Sequence, residues 1–208
     1  MEFKFDGNQE FQLSAIDATA GLLDGQPRVP AGIKFTQGTG FASVPNQLEL
    51  SEKELLKNLR AVQEKNGLKP DGELQFIEGT ASTPARNKPI RFPNFSVEME
   101  TGTGKTYVYI RSMLELCQRY GLRKYIVVVP SIAVKEGVLK ALEITKKHFS
   151  ERYNGIRYRY YAYDSNNLSQ VRQFAYSDCV EIMVMTIDSF KKADKNVINK
   201  STDRLQGE

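Results

Sequence analysis

This sequence predicts an α/β fold with a mostly parallel sheet flanked by helices, and three observations predict it. Short apolar runs alternate with helical patterns along the second half of the chain, and strands that alternate with helices join into β-α-β units that lay the strands parallel. The runs are apolar throughout rather than alternating, as in Tyr125-Ile126-Val127-Val128-Val129, which suits strands covered on both faces. Between the apolar run Phe95-Ser96-Val97, read as a strand, and a helix opening at Lys105-Thr106 lies a turn with two glycines, Gly102 and Gly104. Open parallel sheets gather their ligands at such strand ends.

A chain of 208 residues with 40% hydrophobic and 26% charged residues can bury one sizeable core. No apolar run reaches bilayer length, and residues 1–6 have no cationic segment leading into an apolar one, so a cytosolic protein without a membrane partner is expected. The two cysteines, Cys117 and Cys179, sit among apolar residues without a zinc-binding cluster, and both are expected to be buried, reduced thiols. A formal charge of +4 permits a nucleic-acid partner without demonstrating one.

Residues 11–23 read as an amphipathic helix striped with Ile16, Ala20 and Leu23, with Gly25 just past its end. Gln12, in its first turn, carries a donor and an acceptor side by side, matching the N6 and N7 edge of adenine. Beside a phosphate loop it is a candidate base reader; alone it would be an ordinary surface glutamine. Residues 26–50 read as irregular chain, including the plain loop Gln37-Gly38-Thr39-Gly40. Ser51 and Glu54 form a capping box before a helix striped with Leu55, Leu56, Leu59 and Val62 and closed by Asn66-Gly67. Residues 73–78 suit a strand or hairpin arm, and Pro84, Pro89 and Pro93 make 80–93 a connector.

Thr101-Gly102-Thr103-Gly104-Lys105-Thr106 is the chemical centre of the sequence. A nucleoside triphosphate needs converging backbone N–H groups and the positive end of a helix. The glycines let the loop turn its amides inward and let phosphates approach. Lys105 then reaches the β- and γ-phosphates, and the Thr106 hydroxyl is a ligand for Mg²⁺, which makes ATP with Mg²⁺ the expected cofactor pair.

After the loop, Tyr107, Ile110, Leu114 and Cys117 recur at helical spacing up to the stop signal Gly121. Then come a strand over 125–129, a helix over 134–147, a strand over 158–163, a helix over 168–175 and a strand over 180–186, followed by a polar tail, 191–208, expected to be poorly ordered. Two strand ends carry further signal: Pro130 and Ser131, and Thr186 to Ser189. With Lys135 they could hold a DNA backbone, and as plain loop residues they would need no explanation. Asp188 is followed by Ser189 rather than Glu, so it is not assigned to magnesium. His148, the only histidine, reads as a surface or helix-end residue, and the tyrosines from 153 to 163 suit an ordinary strand better than base stacking.

Several stretches together resemble a known family. Phe11-Gln12-Leu13-Ser14-Ala15-Ile16-Asp17, then residues 97–107, then residues 119–131 are similar, in order, to the N-terminal part of the Res subunit of type III restriction-modification enzymes, which are superfamily 2 helicase-like ATPases. The likeness is thinnest over 26–93. The strict loop pattern has glycine where this chain has Met99, a departure that helicase-like ATPases share. The resemblance implies a RecA-like P-loop domain, the incomplete first lobe of a helicase core, divided into an adenine-reading helix (1–25), an insertion and connector (26–93) and an ATP-binding lobe (94–208). It implies Gln12 at the adenine, 102–106 as motif I, Pro130 and Ser131 as motif Ia, and Thr186 to Ser189 near motif Ib. It further implies ATP hydrolysis coupled to movement on DNA, and DNA cleavage together with a methyltransferase subunit, Mod. The family's Asp-Glu motif, second RecA-like domain and nuclease domain have no counterpart in these residues, so the chain looks like a fragment that binds ATP and hydrolyses it very weakly. A small-molecule kinase using the same loop, and a non-hydrolysing ATP-binding module, are the competing readings.

Overall fold

The computed structural model describes residues 5–29, 34–35, 42–43, 45–82, 87–164 and 167–191. The chain runs through α1 (Glu10–Gly21), β1 (Lys34–Phe35), β2 (Ala42–Ser43), α2 (Glu52–Lys65), β3 (Phe76–Ser82) and β4 (Asn87–Pro93). It continues through α3 (Lys105–Tyr120), β5 (Lys124–Val129), α4 (Ile132–Arg152), β6 (Tyr158–Ala162), α5 (Leu168–Tyr176), β7 (Val180–Thr186) and α6 (Asp188–Lys191).

The predicted parallel sheet is present. Its strands lie in the order β5-β7-β6, all parallel, so β7 enters between two strands made before it. One face carries Val127, Val129, Ile182, Val184 and Tyr158 against Ile110 and Leu114 of α3 and Val138, Leu142 and Phe149 of α4. Ile110, Leu114, Leu142, Phe149, Ile182 and Val184 are fully buried, and each such side chain contributes about 1.5–3 kcal/mol of hydrophobic stabilisation. Alternation of strand and helix thus became a sheet with helices packed on it, but Ile126 and Val128 of β5 are half exposed, so this edge strand is not covered on both faces as its unbroken apolar run predicts.

Local signals hold where they are self-contained. Ser51 and Glu54 exchange the two hydrogen bonds of a capping box. Gly121 caps α3 at φ +74° in the left-handed region, and a Cβ there would run into the main chain of Val29. Val29 N–H in turn donates to the Tyr120 carbonyl at 2.8 Å, which pins the chain after α1 to the end of α3.

Other expectations are corrected. Residues 94–100 form no strand, and Val97 is half exposed. An apolar run becomes a strand only beside a backbone that accepts its ladder, and among the described residues β5, β6 and β7 pair only with one another. Residues 80–82 and 87–93 of the expected connector are instead the end of β3 and the whole of β4, which pair antiparallel in register from Phe76↔Pro93 to Ser82↔Asn87. Pro89 and Pro93 are tolerated because, among the described residues, β4 pairs on one side only and both fall on the same parity, where a missing N–H can face away from β3. Lys34 and Phe35 pair with Ser43 and Ala42 inside the stretch read as irregular. Helix α4 runs to Arg152, five residues past its expected end, because Phe149 and Tyr153 continue its buried stripe until Asn154 and Gly155 turn left-handed. Cys117 is buried but Cys179 only half-buried, since Cys179 precedes the buried strand β7 instead of lying in it. The loop at 37–40 and the tail from 192 lie outside the described residues. Among the described residues no helix is long and apolar enough to cross a membrane.

Candidate functional site

The glycine loop meets α3 directly. Gly102 and Gly104 hold φ of +84° and +85°, conformations strained for any residue with a Cβ. Gly104 is the N-cap of α3 and offers no side chain, so the first-turn N–H groups, which have no helical partner, receive no side-chain cap. That is the arrangement an anion fits, with the helix dipole adding to it. The loop is drawn together around one carbonyl: Thr103 Oγ1 donates to Glu100 O at 2.7 Å, and Lys105 Nζ donates to the same oxygen at 2.8 Å. Thr101 and Lys105 are exposed and Thr106 half-buried. Burial raises the pKa of the Tyr109 phenol, one turn along, and a hydrogen bond with Thr106 opposes that rise.

Gln12 comes to this loop from the other end of the chain. It is buried at 7% exposure, and its Nε2 donates to the Thr103 carbonyl at 2.9 Å. Its Oε1 is also buried and has no hydrogen-bond partner among the described residues. A Cβ added at Gly104 would stand 2.8 Å from that Nε2, so glycine is required there for space as well as for φ. Helix α1 reaches this position by burying Ile16 and Ala20 and by two ties to α3: Asp17 to Arg119 at 3.0 Å, and Tyr120 Oη donating to the Ala20 carbonyl at 3.0 Å. Beside the loop a groove of about 870 Å³ is lined by Phe11, Ala15, Leu59, Phe95, Met99 and Thr103, among others.

The second group of residues lies at the carboxyl end of the sheet. Val129 and Thr186 are register partners, and Ile187 N–H donates to Val129 O at 2.9 Å, which sets Pro130 and Ser131 beside Thr186 to Ser189. Ser131 caps α4 by accepting from Val134 N–H at 3.3 Å, Thr186 and Ser189 share a hydroxyl contact at 3.3 Å, and Lys135 pairs with its neighbour Glu136 at 3.6 Å. Gln12 and the glycine loop are joined to each other, as are the two strand ends. Among the described residues no hydrogen bond joins the first group to the second.

The sequence did not disclose what surrounds the loop helix. His148, read as a surface or helix-end residue, is half-buried inside α4 and shares a 2.9 Å hydrogen bond with Tyr107 Oη, in the first turn of α3. Phe5 stacks on the Tyr107 ring and lies tilted against His148. Arg111, 4% exposed, donates from Nη1 to the Gly7 carbonyl at 2.7 Å. Its one visible signal was a charge amid the buried stripe of α3, a pattern that usually means a solvated side chain.

The profile of the family described as type III restriction enzyme, res subunit, matches residues 47–207. The chain belongs to this family. Its RecA-like, helicase-family α/β domain is the one seen here as a parallel sheet flanked by helices. The EcoPI Res subunit of Escherichia phage P1 is 29% identical over 154 residues, which are 73% of this chain and 14% of that protein. The EcoP15I Res subunit of Escherichia coli matches with the same identity and coverage. The StyLTI Res subunit of Salmonella typhimurium is 52% identical over 66 residues, 31% of this chain and 7% of that protein. The chain therefore spans 14% of the length of the EcoPI and EcoP15I Res subunits it matches. The stretch matched to the Res family contains the glycine loop and both strand ends and begins after Gln12, whose place at the loop rests on geometry.

Proposed function

We propose that this chain is the ATP-binding first lobe of a type III Res subunit, divided into a base-reading helix (1–25), an insertion (26–93) and the nucleotide lobe (94–208). The observation that carries the reading is Gln12 locked onto the glycine loop, with Oε1 buried and without a partner among the described residues, since a purine amino group is a donor that would satisfy it. The chain's residues fit the nucleotide. The left-handed glycines and uncapped first turn of α3 would hold its phosphates, Lys105 would exchange the Glu100 carbonyl for the β- and γ-phosphates, and the Thr106 hydroxyl would be the protein ligand of Mg²⁺. ATP supplies a phosphoryl group whose transfer to water releases the free energy for movement.

In the whole protein, hydrolysis would drive movement on DNA, with Pro130, Ser131, Lys135, Thr186 and Ser189 against the backbone and a Mod subunit as partner in restriction. The side-by-side placement of the two strand ends supports one continuous DNA contact. The deciding experiment is calorimetric titration of the chain with ATP and GTP in Mg²⁺, beside Gln12→Ala. A preference for ATP that the variant loses supports the reading; binding of neither nucleotide overturns it.

A further inference from the structure

We infer that Arg111 is a positioning residue for Gln12: it holds the segment before α1 so that the side-chain amide reaches the glycine loop. The inference rests on the nucleotide reading above and goes beyond it, because Arg111 touches no part of the loop.

The contacts form a closed circuit. Helix α3 opens at the loop, and Arg111 lies on that same helix. Its guanidinium is buried and donates from Nη1 to the main-chain carbonyl of Gly7 at 2.7 Å, with Nε 3.4 Å from Tyr153 Oη. Tyr153 Oη is itself anchored, donating to Glu115 Oε2 at 3.0 Å. From Gly7 the chain runs into α1, and Gln12 returns to the loop at Thr103. Residues 7–12 are therefore pinned at both ends to α3 and the loop that begins it.

A charged donor kept out of water is a strong constraint, because its carbonyl partner would otherwise be buried without a bond. The segment has little room to shift. Gly7 is buried, and a Cβ there would lie 2.9 Å from Arg152 Nη1 and 3.3 Å from Tyr107 Oη. Phe5 adds an aromatic anchor, stacked on Tyr107 at 6.1 Å and tilted on His148 at 5.3 Å. A strap fixed this way sets the entry point of α1, and the entry point sets where Gln12 stands.

The test is base selectivity. ATP, GTP and inorganic tripolyphosphate are titrated in Mg²⁺ against the 208-residue chain, Arg111→Met, Arg111→Lys and Phe5→Ala. The expected result is that Arg111→Met loses the ATP-over-GTP preference and binds tripolyphosphate as the parent does, while Arg111→Lys, which can still donate to Gly7, regains part of it. Phe5→Ala, on the half-buried strap, should move the preference the same way and decides the matter if Arg111→Met does not fold. An unchanged preference in Arg111→Met or in Phe5→Ala overturns the proposal, and so does a loss of tripolyphosphate binding equal to the loss of ATP binding, which would mark general damage to the lobe. A parent chain that binds neither nucleotide sinks the nucleotide reading itself, and this proposal with it.

Discussion

Gln12 Nε2 and the carbonyl of Thr103, 91 positions apart in the sequence, are joined by a hydrogen bond of 2.9 Å. The contact ties helix α1 to the glycine loop, so a change in either is felt by both.

Gly104→Ala tests that dependence. The residue sits at φ +85° and its Cβ would press on Gln12 Nε2, so the backbone cost of about 1–2 kcal/mol comes with displacement of the glutamine. A lower urea midpoint at unchanged slope, together with weaker ATP binding, is expected. A variant as stable as the parent would show that the left-handed turn is dispensable.

Lys105→Ala separates phosphate binding from folding. Lys105 is exposed and, among the described residues, bonded only to its own loop at Glu100 O, so its loss should leave thermal stability within about 0.5 kcal/mol. A charged hydrogen bond is worth about 1.5–3 kcal/mol, which predicts roughly tenfold to hundredfold weaker ATP binding. Unchanged affinity in calorimetry would remove the phosphate-loop assignment.

Glu181 and Lys124 form a pair whose worth a double-mutant cycle can read. Glu181 is fully buried, both its oxygens lack a hydrogen bond among the described residues, and its register partners are Lys124 and Arg159, the latter 3.8 Å away. Burial lowers the Lys124 pKa and Glu181 opposes that shift. Glu181→Leu alone leaves the half-buried Lys124 ammonium, which also donates to the Ser177 carbonyl, without its carboxylate and should cost about 1–3 kcal/mol, whereas Lys124→Met with Glu181→Leu should recover most of it. Additive losses in chemical denaturation would mean the two charges do not act together.

His148 gives the chain a pH dependence with a definite sign. Burial, then Arg152 and Arg111, lower its folded pKa below the ordinary 6.5, so the unfolded chain takes up the proton first. Stability from this group is complete above about 6.5 and is lost as the pH falls from there through the folded pKa. His148→Gln should flatten that slope between pH 7 and 5 in urea titrations; an equal slope in both proteins would show that His148 does not carry it.

The shape of the loop was legible because its signals are local. Two glycines before Lys105 and Thr106 place a left-handed turn at the start of α3 without help from the rest of the chain, and the capping box at Ser51 and Glu54 is closed by residues three apart. Phe95-Ser96-Val97 misled because its pattern suits a strand and its neighbours do not supply a ladder, while Pro89 and Pro93 hid an antiparallel pair in which a missing N–H can face away from β3.

The sequence by itself determined the class of fold, the type of most elements, and the loop with its candidate ligands, since periodicity and turn chemistry follow from backbone geometry over a few residues. Tertiary structure alone decided that β7 lies between β5 and β6, that Gln12 stands on Thr103, that Arg111 grips Gly7 and that His148 meets Tyr107. Each of these joins residues at least 20 positions apart. Whether such a pair meets depends on how the whole chain buries its apolar surface, and no local pattern records that.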